Sequence, residues 1–372
     1  MEDRRLTVIQ LLPALDSGGV ERGTLEVARG LVMQGHRSIV ISAGGRLVDR
    51  LTEEGSEHIC WSIGGKTPWT FRYVSALRRL IRDERADILH ARSRVPAWVV
   101  WMAWKSLPQA HRPRFVTTVH GLYSVGRFSS VMMRGEAVIA VSKTIREYVL
   151  ANYPHTDPGV IRVIPRGRDP QEFPHGYHPE DDWLEAWYRE FPQTQGKILL
   201  TLPGRLTRLK GHEDFIHLVG EVRRAGVDVH GLIVGDEDPR RREYAAELRQ
   251  LVAHDGLKEH ITWTGHRRDI REVYALSALV LSLSTQPESF GRTTLEALSL
   301  GIPCVGYDHG GVGEILRDLF SQGATPVGNR AALRDTVLSL LNDGPFVVPP
   351  HDHYHLDEML ATELNLYREL AA

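Results

Sequence analysis

Glu288 and Glu296 stand on either side of a glycine in the stretch Glu288-Ser289-Phe290-Gly291-Arg292-Thr293-Thr294-Leu295-Glu296, which runs on into Ala297-Leu298-Ser299-Leu300-Gly301-Ile302-Pro303. Leu295 and Leu298 read as the buried side of a short helix, with Gly301 as its stop. Glu288 then belongs to the loop before the helix, and Glu296 lies about a turn inside it. Phe290, Gly291, Arg292 and Thr293 surround the helix start, where backbone N–H groups without intrahelical partners favour an anion. The segment therefore offers a phosphate seat between two hydroxyl acceptors. A nucleotide-diphosphate sugar has that layout, with charge in the middle and hydroxyl-rich rings at both ends.

Breaking the bond between the anomeric carbon and a phosphate leaves growing negative charge on the departing diphosphate, which a protein must stabilise. Pro203-Gly204-Arg205-Leu206-Thr207-Arg208-Leu209-Lys210-Gly211-His212 carries the side chains for it. Gly204 and Gly211 permit close backbone approach. Arg205 presents a fork and Lys210 a point charge to phosphate oxygens. Glu296 can accept from both vicinal hydroxyls of a ribose. The run Gly235-Asp236-Glu237-Asp238 contains an Asp-x-Asp pattern, but no compact His/Cys cluster accompanies it, and neither a metal nor another cofactor is expected.

Together, Gly204-Arg205…Lys210-Gly211 and Glu288…Glu296 resemble the donor signature of the retaining GT-B glycosyltransferases of family 4 (glycosyl transferases group 1), which include sucrose synthase-like and lipopolysaccharide-core enzymes. The resemblance extends over nearly the whole chain. It implies an α/β fold of two doubly wound Rossmann-like domains facing a central cleft, the first for the acceptor and the second for a UDP-sugar. It implies a hexosyltransferase that retains anomeric configuration without a metal. Arg205 and Lys210 would neutralise the leaving diphosphate, Glu296 would hold the ribose, and Glu288 the sugar near C3. The family's counterpart of Glu288 is discussed as a nucleophile. With Glu296 on the ribose, however, only one carboxylate remains at the anomeric carbon, and a glycosidase-like route needs two. Same-face attack, with the leaving phosphate taking the acceptor's proton, is the expected course.

Three further loops follow from the resemblance. Asp16-Ser17-Gly18-Gly19-Val20-Glu21-Arg22 matches the first-domain Gly-Gly loop, so Gly19 is expected beside donor phosphate or acceptor; it lacks the third glycine of the dinucleotide fingerprint. His120, followed by Gly121 at a strand end, matches the family histidine that contacts the sugar's 6-hydroxyl, and joins Arg205, Lys210 and Glu288 as a catalytic position. Thr264-Gly265-His266 is expected to border the base, with Arg267 or Arg268 at its edge. The acidic run falls at the family's Val-Gly-Asp-Gly-type turn, which holds no metal. Asp308-His309-Gly310-Gly311-Val312-Gly313-Glu314 resembles the last Gly-rich turn, with Glu314 starting a helix.

Ile164-Pro165-Arg166-Gly167 carries arginine where many relatives have asparagine, and resembles the branch that acts on lipopolysaccharide core and related cell-surface glycans. His90-Ala91-Arg92-Ser93-Arg94-Val95-Pro96 resembles the same branch, and Arg92 and Arg94 are expected to bind a phosphorylated or carboxylated acceptor. Two other readings share these residues. One is a nucleotide-sugar epimerase on the same fold, which needs no acceptor; the other is a non-catalytic nucleotide-sugar-binding subunit.

The chain's 372 residues suit two cores rather than one. No run of 18 apolar residues is present, so no bilayer-spanning helix is expected. The opening Met1-Glu2-Asp3-Arg4-Arg5 leads straight into an apolar strand, unlike a signal peptide. Cys60 and Cys304 read as free, buried thiols of a reducing compartment, which places the protein in the cytoplasm. Charge is uneven: residues 1–170 hold 25 Lys+Arg against 16 Asp+Glu, and the remainder 20 against 31. The basic first half is expected to face an anionic surface, either the inner face of the cytoplasmic membrane in peripheral association or a phosphorylated acceptor. No nucleic-acid-binding motif accompanies it. Arg78-Arg79-Leu80-Ile81-Arg82, or Arg127 to Arg134 with Val131-Met132-Met133, is the expected membrane contact, while Pro96 to Trp104 reads as a buried helix.

The elements that must position these loops alternate between strand and helix patterns. Leu6 to Leu12, Ser38 to Ile41, Ala86 to His90, Phe115 to His120, Ala137 to Val141 and Val160 to Ile164 read as strands. Val20 to Met33, Phe71 to Ile81 and Pro96 to Trp104 read as helices, and Ser142 as a helix N-cap. The pattern restarts with strands at Ile198 to Leu202, Gly231 to Val234, Ile261 to Thr264, Leu279 to Leu283 and Pro303 to Gly306. Strand–helix alternation implies parallel β-α-β units. The expected divisions are residues 1–170, a linker with a helical excursion around Trp183 to Phe191 at 171–196, a second domain at 197–350, and a C-terminal segment, 351–372, whose helix returns to the first domain.

Overall fold

A computed structural model describes residues 4–16, 18–237, 242–342, 344 and 346–372. Met1–Asp3, Ser17 of the Gly-Gly loop and Asp238 of the acidic run lie outside the described residues. The chain forms two compact units, Met1–Gly167 joined by Leu356–Ala372, and Arg168–His355.

In the first unit β1 (Thr7–Leu11), α1 (Gly19–Met33), β2 (Arg37–Ser42), α2 (Val48–Glu53), β3 (Glu57–Cys60), α3 (Tyr73–Asp83), β4 (Ile88–Ala91), α4 (Arg94–Lys105), β5 (Arg114–Val119), β6 (Ala137–Ala140), α5 (Lys143–Asn152) and β7 (Ile161–Val163) follow one another. The sheet order is β3-β2-β1-β4-β5-β6-β7, and all neighbours pair in parallel. The chain runs outward from β1 to β3, then returns past β1 to lay down β4. That reversal is where doubly wound sheets open a crevice at their carboxyl ends. The inner strands are buried along almost their whole length because both faces are covered, and the few polar residues on them, such as Gln10, His90 and Thr118, are enclosed as well. Edge strand β3 is not: its residues run exposed, partly buried, partly buried, exposed, which hid it from the hydrophobic pattern. Cys60 closes that strand and is exposed, correcting its expected burial, whereas Cys304 is enclosed and burial pushes its thiol up to about 12. Ser142 caps α5 by accepting from the Ile145 N–H at 3.1 Å.

The second unit contains α6 (Asp181–Glu190), β8 (Ile198–Pro203), α7 (His212–Arg224), β9 (Val229–Val234), α8 (Arg242–His254), β10 (Ile261–Gly265), α9 (Ile270–Leu276), β11 (Leu279–Ser282), α10 (Arg292–Ser299), β12 (Cys304–Tyr307), α11 (Gly310–Leu319), β13 (Ala324–Thr325) and α12 (Arg330–Asn342). Its sheet order, β10-β9-β8-β11-β12-β13, reverses between β8 and β11. The expected linker at 171–196 is part of this unit. Trp187 and Phe191 join Leu199, Leu232, Val234 and Val273 in one core, and Trp183 stacks on Trp187 with ring centroids 5.2 Å apart. Aromatic side chains of that size gain more by burial than a solvated connection allows.

The last helix, α13 (Leu356–Ala371), belongs to the first unit. Met359, Leu364, Leu366 and Tyr367 pack with Leu6, Val8, Val27 and Leu31. The helix also carries Glu363, which is fully buried. Arg92 Nη2 donates to its Oε1 at 2.8 Å, and Arg92 Nε donates to Gln10 Oε1 at 2.7 Å. Tyr367 donates to the same carboxylate oxygen at 2.7 Å. Its oxygen is 2.6 Å from His90 Nδ1, and His90 Nε2 is 2.6 Å from Thr118 Oγ1. With Tyr367 donating to Glu363, His90 must donate from Nδ1 and accept at Nε2. Burial, and then the charges of Arg92 and Arg166, hold His90 well below its ordinary pKa, so it is the neutral member of the chain. Removing one partner of a buried charge pair leaves the other uncompensated, which costs about 3–5 kcal/mol. Glu363→Ala is therefore expected to lower the unfolding free energy by that order, read from chemical denaturation followed by tryptophan fluorescence; an unchanged stability would contradict the pairing.

Candidate active site

The reversal of strand order in the second unit brings together two loops distant in sequence. One follows β8 and holds Gly204, Arg205 and Lys210; the other follows β11 and holds Ser284 and Glu288. Lys210 Nζ lies 2.6 Å from Glu288 Oε1. Ser284 Oγ donates to the same oxygen. Gly204 sits against the lysine stem, since a Cβ there would come 3.2 Å from Lys210 Cδ. Burial raises the Glu288 carboxyl, but the charge and hydrogen bond of Lys210, the Ser284 hydroxyl and the charge of His309 together outweigh it. The net shift is downward, so Glu288 is ionised at neutral pH.

Two helices begin beside this pair. Gly291, at φ +98°, caps α10, a conformation that side-chain-bearing residues rarely adopt. A Cβ on it would come 2.9 Å from Val312 Cγ2 in the first turn of α11. A Cβ on Gly311 would fall 2.3 Å from the Phe290 backbone, and the Gly311 N–H donates to the Glu288 carbonyl at 2.8 Å. The positive ends of α10 and α11 thus meet next to Lys210. Arg292 and Thr293 are partly buried in the first turn of α10, and Glu296 is 4% exposed one turn further in. The Phe290 ring is buried, 5.9 Å from that of Tyr354, so it is not open to a ligand. Arg205 is exposed and makes no ion pair among the described residues.

Several expected roles do not fit these surroundings. Arg267 forks onto Asp269 and reaches Glu190 at 3.0 Å, with its guanidinium over Trp187, so it anchors α6 rather than edging a base pocket. Glu237 pairs with Arg249, which occupies one carboxylate of the acidic run. The helix expected from Glu314 starts earlier, at Gly310.

In the first unit Gly19 opens α1, and a Cβ there would meet nothing within 4 Å. His120 is partly buried just past β5, and its N–H donates to the Tyr123 hydroxyl at 3.2 Å. Arg92 cannot serve an acceptor: its side chain has no exposed surface and its charge is spent on Glu363. Arg94 is half-buried, 3.3 Å from the Ser124 and Ser129 hydroxyls and 4.8 Å above the Tyr123 ring, so it braces the loop after β5. Val131 and Met132 are fully buried, which removes Arg127 to Arg134 as an apolar membrane contact. The expected buried helix at Pro96 to Trp104 is enclosed on one side only. Pro96, Ala97, Val99, Val100 and Ala103 are buried, while Arg134 covers the rings of Trp98 and Trp101.

Residues 17–172 match the model of Glycosyltransferase Family 4, and residues 185–353 match that of Glycosyl transferases group 1. The chain is a group 1 glycosyltransferase. It is 25% identical over 296 residues to the N-acetyl-alpha-D-glucosaminyl L-malate synthase of Bacillus anthracis, covering 76% of this chain and 72% of that protein. A crystal structure of a glycosyltransferase from Rickettsia africae is 28% identical and superposes with a TM-score of 0.85 over 98% of both chains. Anabaena HepE, solved in complex with UDP and glucose, shares the fold at 18% identity and a TM-score of 0.83, over 98% of this chain and 100% of that one.

For this glycosyltransferase, sequence reasoning missed Ser284 and the place of His309, whose Nε2 donates to the Ser284 carbonyl at 2.7 Å. His309 lies in a Gly-rich turn that was legible, but its contact with the loop after β11 was not. Because the Glu288 pKa is depressed on folding, its contribution to stability is present above the ordinary carboxylate range and is lost as pH falls through the folded value. The stability gap between wild type and Glu288→Gln, followed by thermal melts, is expected to be widest near neutrality and to close toward acid pH. A gap independent of pH would overturn the ionised pairing.

Proposed function

We propose that this group 1 glycosyltransferase moves a hexose from a UDP-sugar to a cell-surface glycan such as lipopolysaccharide core, with retention and without a metal. The observation that carries the reading is the Lys210–Glu288 pair at 2.6 Å, set where the amino ends of α10 and α11 meet. An ammonium has three donors, and the contact with Glu288 uses one. The others, with Arg205 and the first-turn N–H groups of α10, suit the departing diphosphate. The acceptor hydroxyl oxygen bonds to the anomeric carbon on the face that UDP leaves. The bonding electrons go to the phosphate oxygen, and the acceptor's proton follows them there. Ionised Glu288 offsets the cation-like ring and accepts from a sugar hydroxyl, while buried Glu296 holds the ribose. The bound UDP and glucose of the Anabaena protein support the choice of base.

Lys210→Ala is expected to lower kcat/KM by about 10²- to 10³-fold, measured by UDP release. Near-normal turnover would remove the leaving-group role. The anomeric proton coupling of the product reports retention or inversion, and activity that persists in EDTA reports metal independence. Acceptor class is read by comparing phosphorylated with dephosphorylated core oligosaccharide.

Cytoplasmic residence at the inner membrane face is part of the same proposal. Among the described residues no helix is long and apolar enough to cross a membrane. Trp69 and Phe71 are 77% and 51% exposed, in a short 3₁₀ turn flanked by exposed Lys66 and Arg72. Residues 58–134 hold 13 Lys+Arg against 3 Asp+Glu. Aromatic side chains beside basic ones suit an anionic lipid interface. Co-sedimentation with phosphatidylglycerol vesicles, and much less with phosphatidylcholine, is expected, with a several-fold loss in Trp69→Ser/Phe71→Ser. Equal binding to both lipids, or none to either, would refute the surface.

A further inference from the structure

Tyr354 has a backbone conformation that tyrosine rarely adopts. Its φ is +60°, in the left-handed region that favours glycine, and among the described non-glycine residues only Arg85 shares a positive φ. A residue with a side chain persists there only where its surroundings fix it. Three neighbours do so, all within the second unit. Arg168 holds the turn from one side. Its N–H donates to the Tyr354 carbonyl at 2.8 Å, and its Nη2 donates to the His351 carbonyl at 3.2 Å. On another side the adjacent His353 places Nδ1 2.9 Å from Asp318 Oδ2, on α11. Burial, and then the charge of Asp318, raise the Tyr354 phenol, so the ring stays neutral beside that helix. The third neighbour is Phe290. The two rings meet edge to face, with centroids 5.9 Å apart and planes at 69°.

Phe290 links this turn to the candidate site. It stands between Glu288 and Gly291 in the chain and is 6% exposed. A Cβ on Gly311 would come 2.3 Å from Phe290 Cα, and the Glu288 carbonyl accepts the Gly311 N–H at 2.8 Å. A shift of the Phe290 ring therefore moves the backbone that carries the Glu288 carboxylate and the Gly291 cap. We propose that Tyr354 is a positioning residue whose ring, held on Phe290 by the left-handed turn, fixes the Glu288–Gly291 segment against α11. Glycine at 354 would suit the backbone better but would leave Phe290 without this ring partner. The inference rests on the role proposed for Glu288 in transfer, and names a contact that holds that carboxylate in place.

Tyr354→Gly removes the ring while easing the backbone, and UDP release by the folded variant reads its turnover. Phe290→Leu breaks the same contact from the other side at a position that stays apolar. Because about 1 Å of misplacement can cost about 10²-fold, both are expected to lower kcat about ten-fold or more. Tyr354→Phe keeps the ring and is expected to stay within about three-fold of wild type. The double variant Tyr354→Gly/Glu288→Gln separates positioning from general weakening. Effects that run through one group do not add, so it is expected to be no more than about two-fold slower than Glu288→Gln alone. Wild-type kcat in folded Tyr354→Gly or Phe290→Leu would overturn the inference. So would a further loss of about ten-fold in the double variant, the result expected of independent effects. Glu288→Gln by itself tells two failures apart. Normal turnover there removes the role of Glu288, whereas lost turnover there beside a normal Tyr354→Gly removes only that of Tyr354.

Discussion

A reversal of strand order is the constraint on which the candidate site of this glycosyltransferase depends. In the second unit β8 and β11 are neighbours although Lys210 and Glu288, in the loops that follow them, are 78 positions apart in the chain; the two meet at 2.6 Å only because of that adjacency. Parallel strands emerge at the same edge, so the loops that follow them share one rim. The rim is then furnished by the two helices that start there, α10 and α11, whose amino ends touch through glycines at positions 291 and 311. A lysine, an ionised glutamate and two helix dipoles make a compact electrostatic setting with no net excess of fixed charge from the side-chain pair. Its cationic character comes from the peptide groups and the exposed Arg205.

The first unit is organised by charge in a different way. Glu363, carried in by the last helix, balances Arg92, and Tyr367, His90 and Thr118 extend the same hydrogen-bonded chain across the sheet. Full burial makes the network costly unless its strong donors are answered, and most are, with Arg92 Nη1 and Glu363 Oε2 lacking a hydrogen-bond partner among the described residues. That requirement ties α13 to β1, β4 and β5 more specifically than its apolar contacts do. It also explains why an arginine placed at a strand's carboxyl end does not reach out for ligand. Arg166 is held by the same helix through Met359, and its Nη2 lies 2.9 Å from His120 Nδ1.

Much of the architecture was legible in the chain. Apolar runs such as Leu6 to Leu12 and Gly231 to Val234 announce buried parallel strands, because strands covered on both faces have no polar alternation to confuse the reading. Edge strand β3 was missed for the converse reason, having two exposed positions in four. The segment around Trp183 to Phe191 was read as a helix yet placed in a linker, since a helical period says which side is apolar but not which core it enters. Glu288, Lys210 and the start of α10 were legible because glycine, charge and helix boundary coincide within a few residues. Ser284 and His309 carry no such local mark.

The amino-acid sequence by itself determined most of the element order, the group 1 motifs and the presence of a helix start suited to an anion, all of which are short-range properties of neighbouring residues. Tertiary structure alone decided which charges are spent and which stay open. Arg92, Arg94 and Arg166 look alike in sequence, yet one is neutralised by Glu363, one braces a loop and one lies buried against His120. The physical reason is that a side chain's charge has a fixed sign but no fixed use. Its partner is set by which strands lie side by side, and that is a property of the whole sheet rather than of any segment within it.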